Sequence, residues 1–257
     1  MTQIYVGYVV ERIRRWLLRN LVPEALWPRH VLLDGVAIPV RGMPFSFGVK
    51  RILCDGTYEN SERVLLNRVI RENDVVLEFG GSIGILATIA ADKVGGAGMV
   101  ISVEAADRLA SQAAARLANR ANVQILAGLG FPVAEAPERC RQSVFRDTGN
   151  SLGGRICSEE TIEPNSTLHQ IYDINRIMRE YGVQPRILLV DIEGAESVVL
   201  EPLATIPSCI VHIIIELHPG LYGRATEQSI VEAICRFGYV VAEEMRHVYL
   251  FTRSPTS

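Results

Sequence analysis

The sequence predicts an α/β protein: a doubly wound, mostly parallel Rossmann-like sheet with one antiparallel strand near an edge. Three observations carry this expectation. From Asn60 onward, short apolar runs alternate with segments of helical periodicity. The runs are continuous (Val75-Val-Leu77, Ile187-Leu-Leu-Val190, Ile213-Ile-Ile215) rather than alternating, as strands covered on both faces are. The last two runs, Tyr239–Glu243 and Val248–Thr252, lie too close together for a parallel crossover, so the final strand must run antiparallel to its neighbours.

The elements follow in order. Val9–Leu21 reads as a helix, with Ile13, Trp16, Leu17 and Leu21 on one side, Arg12, Arg15 and Arg19 opposite, and Pro23 as its limit. His30–Val40 reads as a hairpin turning at Asp34-Gly35. Together they make an extension over residues 1–52, ahead of a main domain over 53–257. In that domain Ser61–Arg71 is a helix, Asp74–Phe79 a strand, Ile83–Val94 a helix, Met99–Glu104 a strand, Asp107–Asn119 a helix and Val123–Leu126 a strand. Leu168–Tyr181 is a helix capped by Ser166 or Thr167, Ile187–Asp191 a strand, Ala195–Leu203 a helix, Ile210–Glu216 a strand and Glu227–Phe237 a helix. Gly128–Asn165 is expected to be a long irregular insertion over the active face, with Pro132, Pro137, Pro164 and the loop-like Asp147–Gly154. Arg146, Asp147, Asn150 and Ser151 would contact a ligand there, and Gly149, Gly153 and Gly154 would let the segment close.

Composition narrows the class. The chain has 257 residues, 48% of them apolar and 21% charged, enough for one large core. A net charge of −3 excludes a nucleic-acid polyelectrolyte. The charge is uneven: residues 1–51 hold eight Arg and Lys against three acids, a net of +5. The Arg-rich helix face is expected to meet solvent, the sheet or a second subunit in a homo-oligomer, in preference to anionic lipid. The five scattered cysteines form no CxxC pair, which argues against a disulfide framework or thiolate zinc and suits a reducing cytoplasm. No apolar run reaches the roughly 18 residues of a membrane span, and no secretory signal is expected at the N-terminus.

The motif at the first strand decides the cofactor. In an open α/β sheet ligands bind beyond the carboxyl ends of the strands, where the strand order reverses. Asp74–Phe79 ends in Glu78-Phe-Gly-Gly-Ser-Ile-Gly84. Gly80 and Gly84 allow a tight turn and close approach of a ligand, with Ser82 between them. Glu104, at the end of the next strand, is placed to accept the hydroxyls of an adenosine ribose. A dinucleotide wants GxGxxG under its pyrophosphate. Here an acid, Glu78, precedes the first glycine and would repel phosphate. S-adenosylmethionine has no phosphate and carries a cationic amino acid end, which Glu78 is expected to meet.

Four motifs in all resemble the FkbM-type methyltransferases: Gly56-Thr-Tyr-Glu59, the Asp74–Gly84 segment, Asp191-Ile-Glu-Gly-Ala-Glu196 and Ile214-Ile-Glu-Leu-His-Pro219. The resemblance spans roughly Leu53–Thr252. It departs at Glu78, Gly81 and Ser82, where members commonly carry Asp-x-Gly-Ala-Asn-x-Gly, and at Thr167–Tyr172, where they carry T-L-D-x-L. It implies methylation of a hydroxyl on a small molecule or glycan, such as a sugar or secondary metabolite. Tyr58, with Glu59, would close over the methionine end of the cofactor, or else is ordinary packing.

The acceptor chemistry is expected from Asp191, Glu216 and His218 at the ends of neighbouring strands. They would either hold a divalent ion such as Mg2+ through Asp191 and Glu216, or supply His218 as a base oriented by a carboxylate. The bland alternatives are a helix cap at Asp191, helix-dipole acids at Glu193 and Glu196, and a turn at His218-Pro219. His212, inside an apolar run, is expected to be a packed core residue. The competing functions are a nucleotide-dependent oxidoreductase, against which the missing third glycine speaks, and a cofactor-binding module without turnover.

Overall fold

The computed structural model describes residues 23–136, 144–147, 154–157, 167–168, 170–193, 195–196 and 205–254. The expected Val9–Leu21 helix lies outside these residues, as does all but Ala195 and Glu196 of the expected Ala195–Leu203 helix. The chain divides into two units, Met1–Asn60 and Ser61–Ser257.

In the first unit β1 (His30–Leu33) and β2 (Val36–Pro39) pair antiparallel, with Leu33 opposite Val36. Asp34 and Gly35 alone make the turn, at φ +51° and +85°, the left-handed pair that a type I′ hairpin requires. Helix α1 (Phe47–Cys54) is capped by Ser46, whose Oγ accepts the Val49 amide at 3.3 Å. Lys50 is buried and pairs with Glu24 at 2.6 Å.

The second unit begins with α2 (Asn60–Val69) and runs β3 (Val75–Phe79), α3 (Ile85–Val94), β4 (Met99–Glu104), α4 (Asp107–Leu117) and β5 (Val123–Ala127). The strands β6 (Leu129–Phe131), β7 (Val144–Asp147), β8 (Gly154–Cys157), β9 (Thr167–Leu168) and β10 (Ile171–Asp173) follow, then α5 (Ile174–Tyr181) and β11 (Ile187–Val190). The chain closes with β12 (His212–Glu216), α6 (Pro219–Tyr222), α7 (Arg224–Arg236), β13 (Tyr239–Met245) and β14 (Val248–Arg253).

The main sheet has the order β13-β14-β12-β11-β3-β4-β5. β14 alone is antiparallel to its neighbours, β12 and β13, while the other pairs are parallel. Counted along the chain, these seven strands lie in the order 3-2-1-4-5-7-6. The order reverses between β3 and β11, so the crevice for a ligand opens where those two strands end.

Period-two alternation splits the core. Leu77, Phe79, Ile101, Val103, Leu188, Val190, Ile213 and Ile215 point to one face, where Ile174 and Ile177 of α5 and Ile230 and Ile234 of α7 cover them. Val76, Val100, Ile187, Leu189 and Ile214 point to the other, beneath Leu65 and Leu66 of α2 and Leu86, Ala87 and Ala90 of α3. Truncating Leu65 or Leu66, both fully buried, would cost about 2–5 kcal/mol.

Two expectations need correction. The helix expected over Leu168–Tyr181 begins only at Ile174, because β9 and β10 precede it. Its cap is Asp173, whose Oδ1 accepts the Arg176 amide at 2.8 Å. Gly128–Asn165 is also not wholly irregular. β6 pairs in parallel with β10, and β7 pairs antiparallel with both β8 and β9. These strands are two to four residues long and, apart from β7 with β8, find partners far along the chain, so no local periodicity announces them. Residues 148–153, the centre of the expected closing segment, lie outside the described residues.

His212 is half-buried at the amino end of β12. Its Nδ1 lies 3.0 Å from Thr252 Oγ1 on the neighbouring strand, and burial lowers its pKa. Among the described residues, no helix is long and apolar enough to cross a membrane.

Candidate functional site

The turn after β3 is built for glycine. A Cβ on Gly80, at φ +92°, would stand 1.6 Å from the Asp191 carbonyl oxygen, so the ends of β3 and β11 touch backbone to backbone. A Cβ on Gly81 would stand 1.9 Å from Ser102 Oγ. Gly84, at φ +71°, caps α3, and its amide donates to the Gly81 carbonyl at 2.7 Å. Ser82 takes φ +46°, a left-handed conformation that costs a non-glycine residue about 1 kcal/mol or more. Gly81, treated in the sequence only as a departure from a family pattern, also has no room for a side chain unless Ser102 moves.

Glu104, at the end of β4, holds the turn in place. One carboxylate oxygen accepts the Ser82 amide at 2.7 Å and the other accepts the Ala106 amide at 2.7 Å. Glu78 is placed differently from the expectation. It is 3% exposed and lies beneath Gly81, accepting a hydrogen bond from Ser102 Oγ on the neighbouring strand. Burial pushes its pKa up to about 7; the Ser102 bond and Arg116 oppose this, and the Glu104 charge adds to it. Arg116 of α4 reaches back to the Ile83 carbonyl at 2.5 Å and Thr88 Oγ1 at 2.7 Å, stitching the turn to two helices.

A second group gathers at the ends of β11 and β12. His218 Nδ1 lies 3.1 Å from Glu196 Oε1, and its Nε2 lies 3.6 Å from Asp191 Oδ1 and 3.7 Å from Glu193 Oε2. The Glu196 side chain is fully buried, and its Oε1 also accepts the Ile192 amide at 3.2 Å. Glu193 is held at φ +53°. The His218 amide donates to Tyr222 Oη at 2.6 Å, which fixes the turn into α6. The sequence thus anticipated the meeting of Asp191 with His218, and Glu216 lies within electrostatic range of both.

The charges of this group explain its proton affinities. Burial raises Asp191 well above the usual carboxylate range, and the charges of Glu216, Glu193 and Glu62 add to it. Glu216 is pushed up to about 7 by burial and by Glu62, whose carboxyl shares a hydrogen bond with it. Burial would lower His218, but the Glu196 bond and the charges of Glu196, Glu216 and Glu193 outweigh it and raise the imidazole. Two positions differ from the sequence reading. The groups that cluster as ligand donors are Asp191, Glu196 and His218, whereas Glu216, expected to share an ion with Asp191, bonds to Glu62. Glu62, 7% exposed on α2, was not anticipated. Its signal was present: it lies three and four residues before Leu65 and Leu66, on the apolar side of its helix. Tyr58 belongs to the first unit, where it is 2% exposed.

Residues 60–134 match the family described as protein-L-isoaspartate(D-aspartate) O-methyltransferase. No curated protein matches the chain in sequence. Among solved structures, the chain is similar to Aeropyrum pernix fibrillarin in complex with S-adenosyl-L-methionine, at 12% identity over 76% of this chain and 73% of that one, with a TM-score of 0.45. It is also similar to a SAM-dependent methyltransferase from Aquifex aeolicus (12% identity, 74% and 86%, TM-score 0.41). A third is a SAM-dependent O-methyltransferase from Thermotoga maritima (12% identity, 77% and 66%, TM-score 0.42). The described residues form a mostly parallel, Rossmann-like seven-stranded sheet.

Proposed function

We propose that the chain is an S-adenosylmethionine-dependent methyltransferase that methylates a hydroxyl oxygen of a sugar, glycan or secondary metabolite, in the manner of the FkbM-type enzymes it resembles. The observation that carries this reading is the placement of two groups on one sheet edge. The glycine turn with Glu104 lies at the ends of β3 and β4, and the Asp191–Glu216–His218 group lies at the ends of β11 and β12.

The cofactor's adenosine would lie along Gly80–Gly84, with its ribose hydroxyls on Glu104. Its methyl group then faces the ends of β11 and β12. Transfer is an in-line displacement: the acceptor oxygen bonds to the methyl carbon, the carbon–sulfur bond breaks with its electron pair going to sulfur, and the O–H proton leaves. Glu216, with a pKa near 7, is tuned to take that proton at neutral pH. His218 and Asp191 would position the acceptor beside it.

The test has two steps. Calorimetric titration should show binding of S-adenosylhomocysteine and none of NAD. Release of S-adenosylhomocysteine should then depend on a hydroxylated acceptor from a panel of sugars and polyketides. Binding of NAD instead would favour an oxidoreductase, and cofactor binding without turnover on any acceptor would leave a non-catalytic module.

A further inference from the structure

Asp191, Glu196 and His218 each bring one ligating atom to within 4.8 Å of the others. They converge from two places: the two acids from the segment after β11, the imidazole from the turn after β12. Two of their oxygens are unsatisfied. Glu196 Oε2 and Asp191 Oδ1 are both buried and have no hydrogen-bond partner among the described residues, and the Glu196 side chain is wholly enclosed. A buried carboxylate oxygen without a donor is costly, and two of them within one cluster of ligand-type side chains suit a cation.

The His218 imidazole does not meet that need. Among the described residues its hydrogen bond goes to Glu196 Oε1, while its Nε2 stands 3.6 Å from Asp191, beyond hydrogen-bond length.

We propose that Asp191, Glu196 and His218 bind a single divalent metal ion. Two carboxylates and one imidazole, with no thiolate, suit manganese, iron(II) or zinc better than calcium, which prefers oxygen alone. An ion there sits beside Glu216 at the ends of β11 and β12. On the methyl-transfer reading, on which this role rests, Asp191, Glu196 and His218 would hold the ion and it would supply Lewis acidity beside the acceptor oxygen. The site itself does not depend on that reading.

The probe is Mn2+ alone. The full chain, freed of metal with a chelator, is titrated with Mn2+ while electron paramagnetic resonance counts the free ion. One Mn2+ should bind per chain, and pulsed measurements on the unsubstituted protein should show coupling to an imidazole nitrogen. Glu196→Gln and His218→Ala should each weaken binding tenfold or more, whereas Glu232→Gln, at an exposed acid outside the group, should leave it unchanged. No saturable binding, no nitrogen coupling, or equal affinity in both site variants would overturn the proposal. So would displacement of Mn2+ by S-adenosylmethionine, because the acids would then serve the cofactor's own cationic groups. Affinity for S-adenosylhomocysteine is measured on the same samples. Cofactor binding without Mn2+ ends the metal site and leaves the methyltransferase reading; Mn2+ binding without cofactor affinity does the reverse.

Discussion

The Glu104 carboxylate accepts the Ser82 amide at 2.7 Å, so the end of β4 holds the strained turn that follows β3. Its other oxygen holds the Ala106 amide at the start of α4. Glu104→Ala should therefore weaken S-adenosylhomocysteine binding by about 1–3 kcal/mol, by removing the ribose acceptor and freeing the turn together. Glu104→Gln should not rescue it, because the side-chain NH2 would face a backbone N–H. Calorimetry decides: unchanged affinity in either variant removes Glu104 from the cofactor site.

Gly80 and Gly95 both have positive φ, +92° and +70°, yet their substitutions should differ sharply. A methyl on Gly95 meets nothing within 4 Å, so Gly95→Ala should cost only about 1 kcal/mol of backbone strain. A methyl on Gly80 would overlap the Asp191 carbonyl oxygen and force β3 and β11 apart. Gly80→Ala should cost more than about 4 kcal/mol or prevent folding. Urea denaturation compares the two, and equal midpoints would contradict the close approach.

What the sequence disclosed and what it hid follow from the range of the forces involved. The Asp34-Gly35 hairpin and the antiparallel β14 were legible because turn chemistry and connection length are local properties. The parallel strands were legible because burial on both faces leaves continuous apolar runs. β6 and β10 were not, since three residues carry no period and their pairing spans the long insertion between them. At the site, Asp191, Glu216 and His218 announced themselves by standing at strand ends. The partners that set their charge, Glu196 and Glu62, did not. Glu196 reads equally well as an acid at a helix start, and only the fold shows that it is enclosed against His218.

Glu78 should make stability depend on pH. Its pKa rises from an ordinary 4.5 to about 7 on folding, so the native state binds more protons than the unfolded chain between those values. The folded state is favoured below pH 4.5, loses that advantage as pH rises to 7, and carries the full penalty above. The penalty is on the order of 3 kcal/mol. Glu78→Gln keeps an acceptor for Ser102 and removes the charge. Its stability relative to the parent protein should climb between pH 4.5 and 7 and then level off. A difference that stays flat with pH would refute the buried-acid assignment.

Arg186 and Asp74 test the opposite end of the sheet. Arg186 Nε and Nη2 bond both Asp74 oxygens at 2.5 and 2.7 Å, tying the entrance of β11 to that of β3. Asp74 is 8% exposed, and its Oδ2 also accepts the Arg71 amide. Arg186→Met strands a nearly buried carboxylate and should cost about 3–5 kcal/mol of stability. Because the pair lies at the amino ends of the strands, affinity for S-adenosylhomocysteine at low temperature should stay within a factor of two or three. Loss of affinity in a protein that remains folded would show that the two ends are coupled.

Glu62 lies close enough to Glu216 for its charge and its hydrogen bond both to favour the protonated Glu216 carboxyl. Burial and Glu62 together push Glu216 up to about 7. Glu62→Gln removes the like charge and offers Glu216 an amide donor, and both changes favour the ionised form. The Glu216 carboxyl, followed by carbon NMR, should titrate near 7 in the parent protein and clearly lower in the variant. Stability supplies a second reading with a definite sign: the variant should gain on the parent protein above pH 7, and the gain should fade as pH drops from 7 through the ordinary Glu216 value of 4.5. If Glu216 is the base for methyl transfer, the acidic limb of the activity profile should move down by the same amount as the NMR midpoint. A shifted midpoint with an unmoved activity profile would take the base role from Glu216 and leave it a purely structural acid.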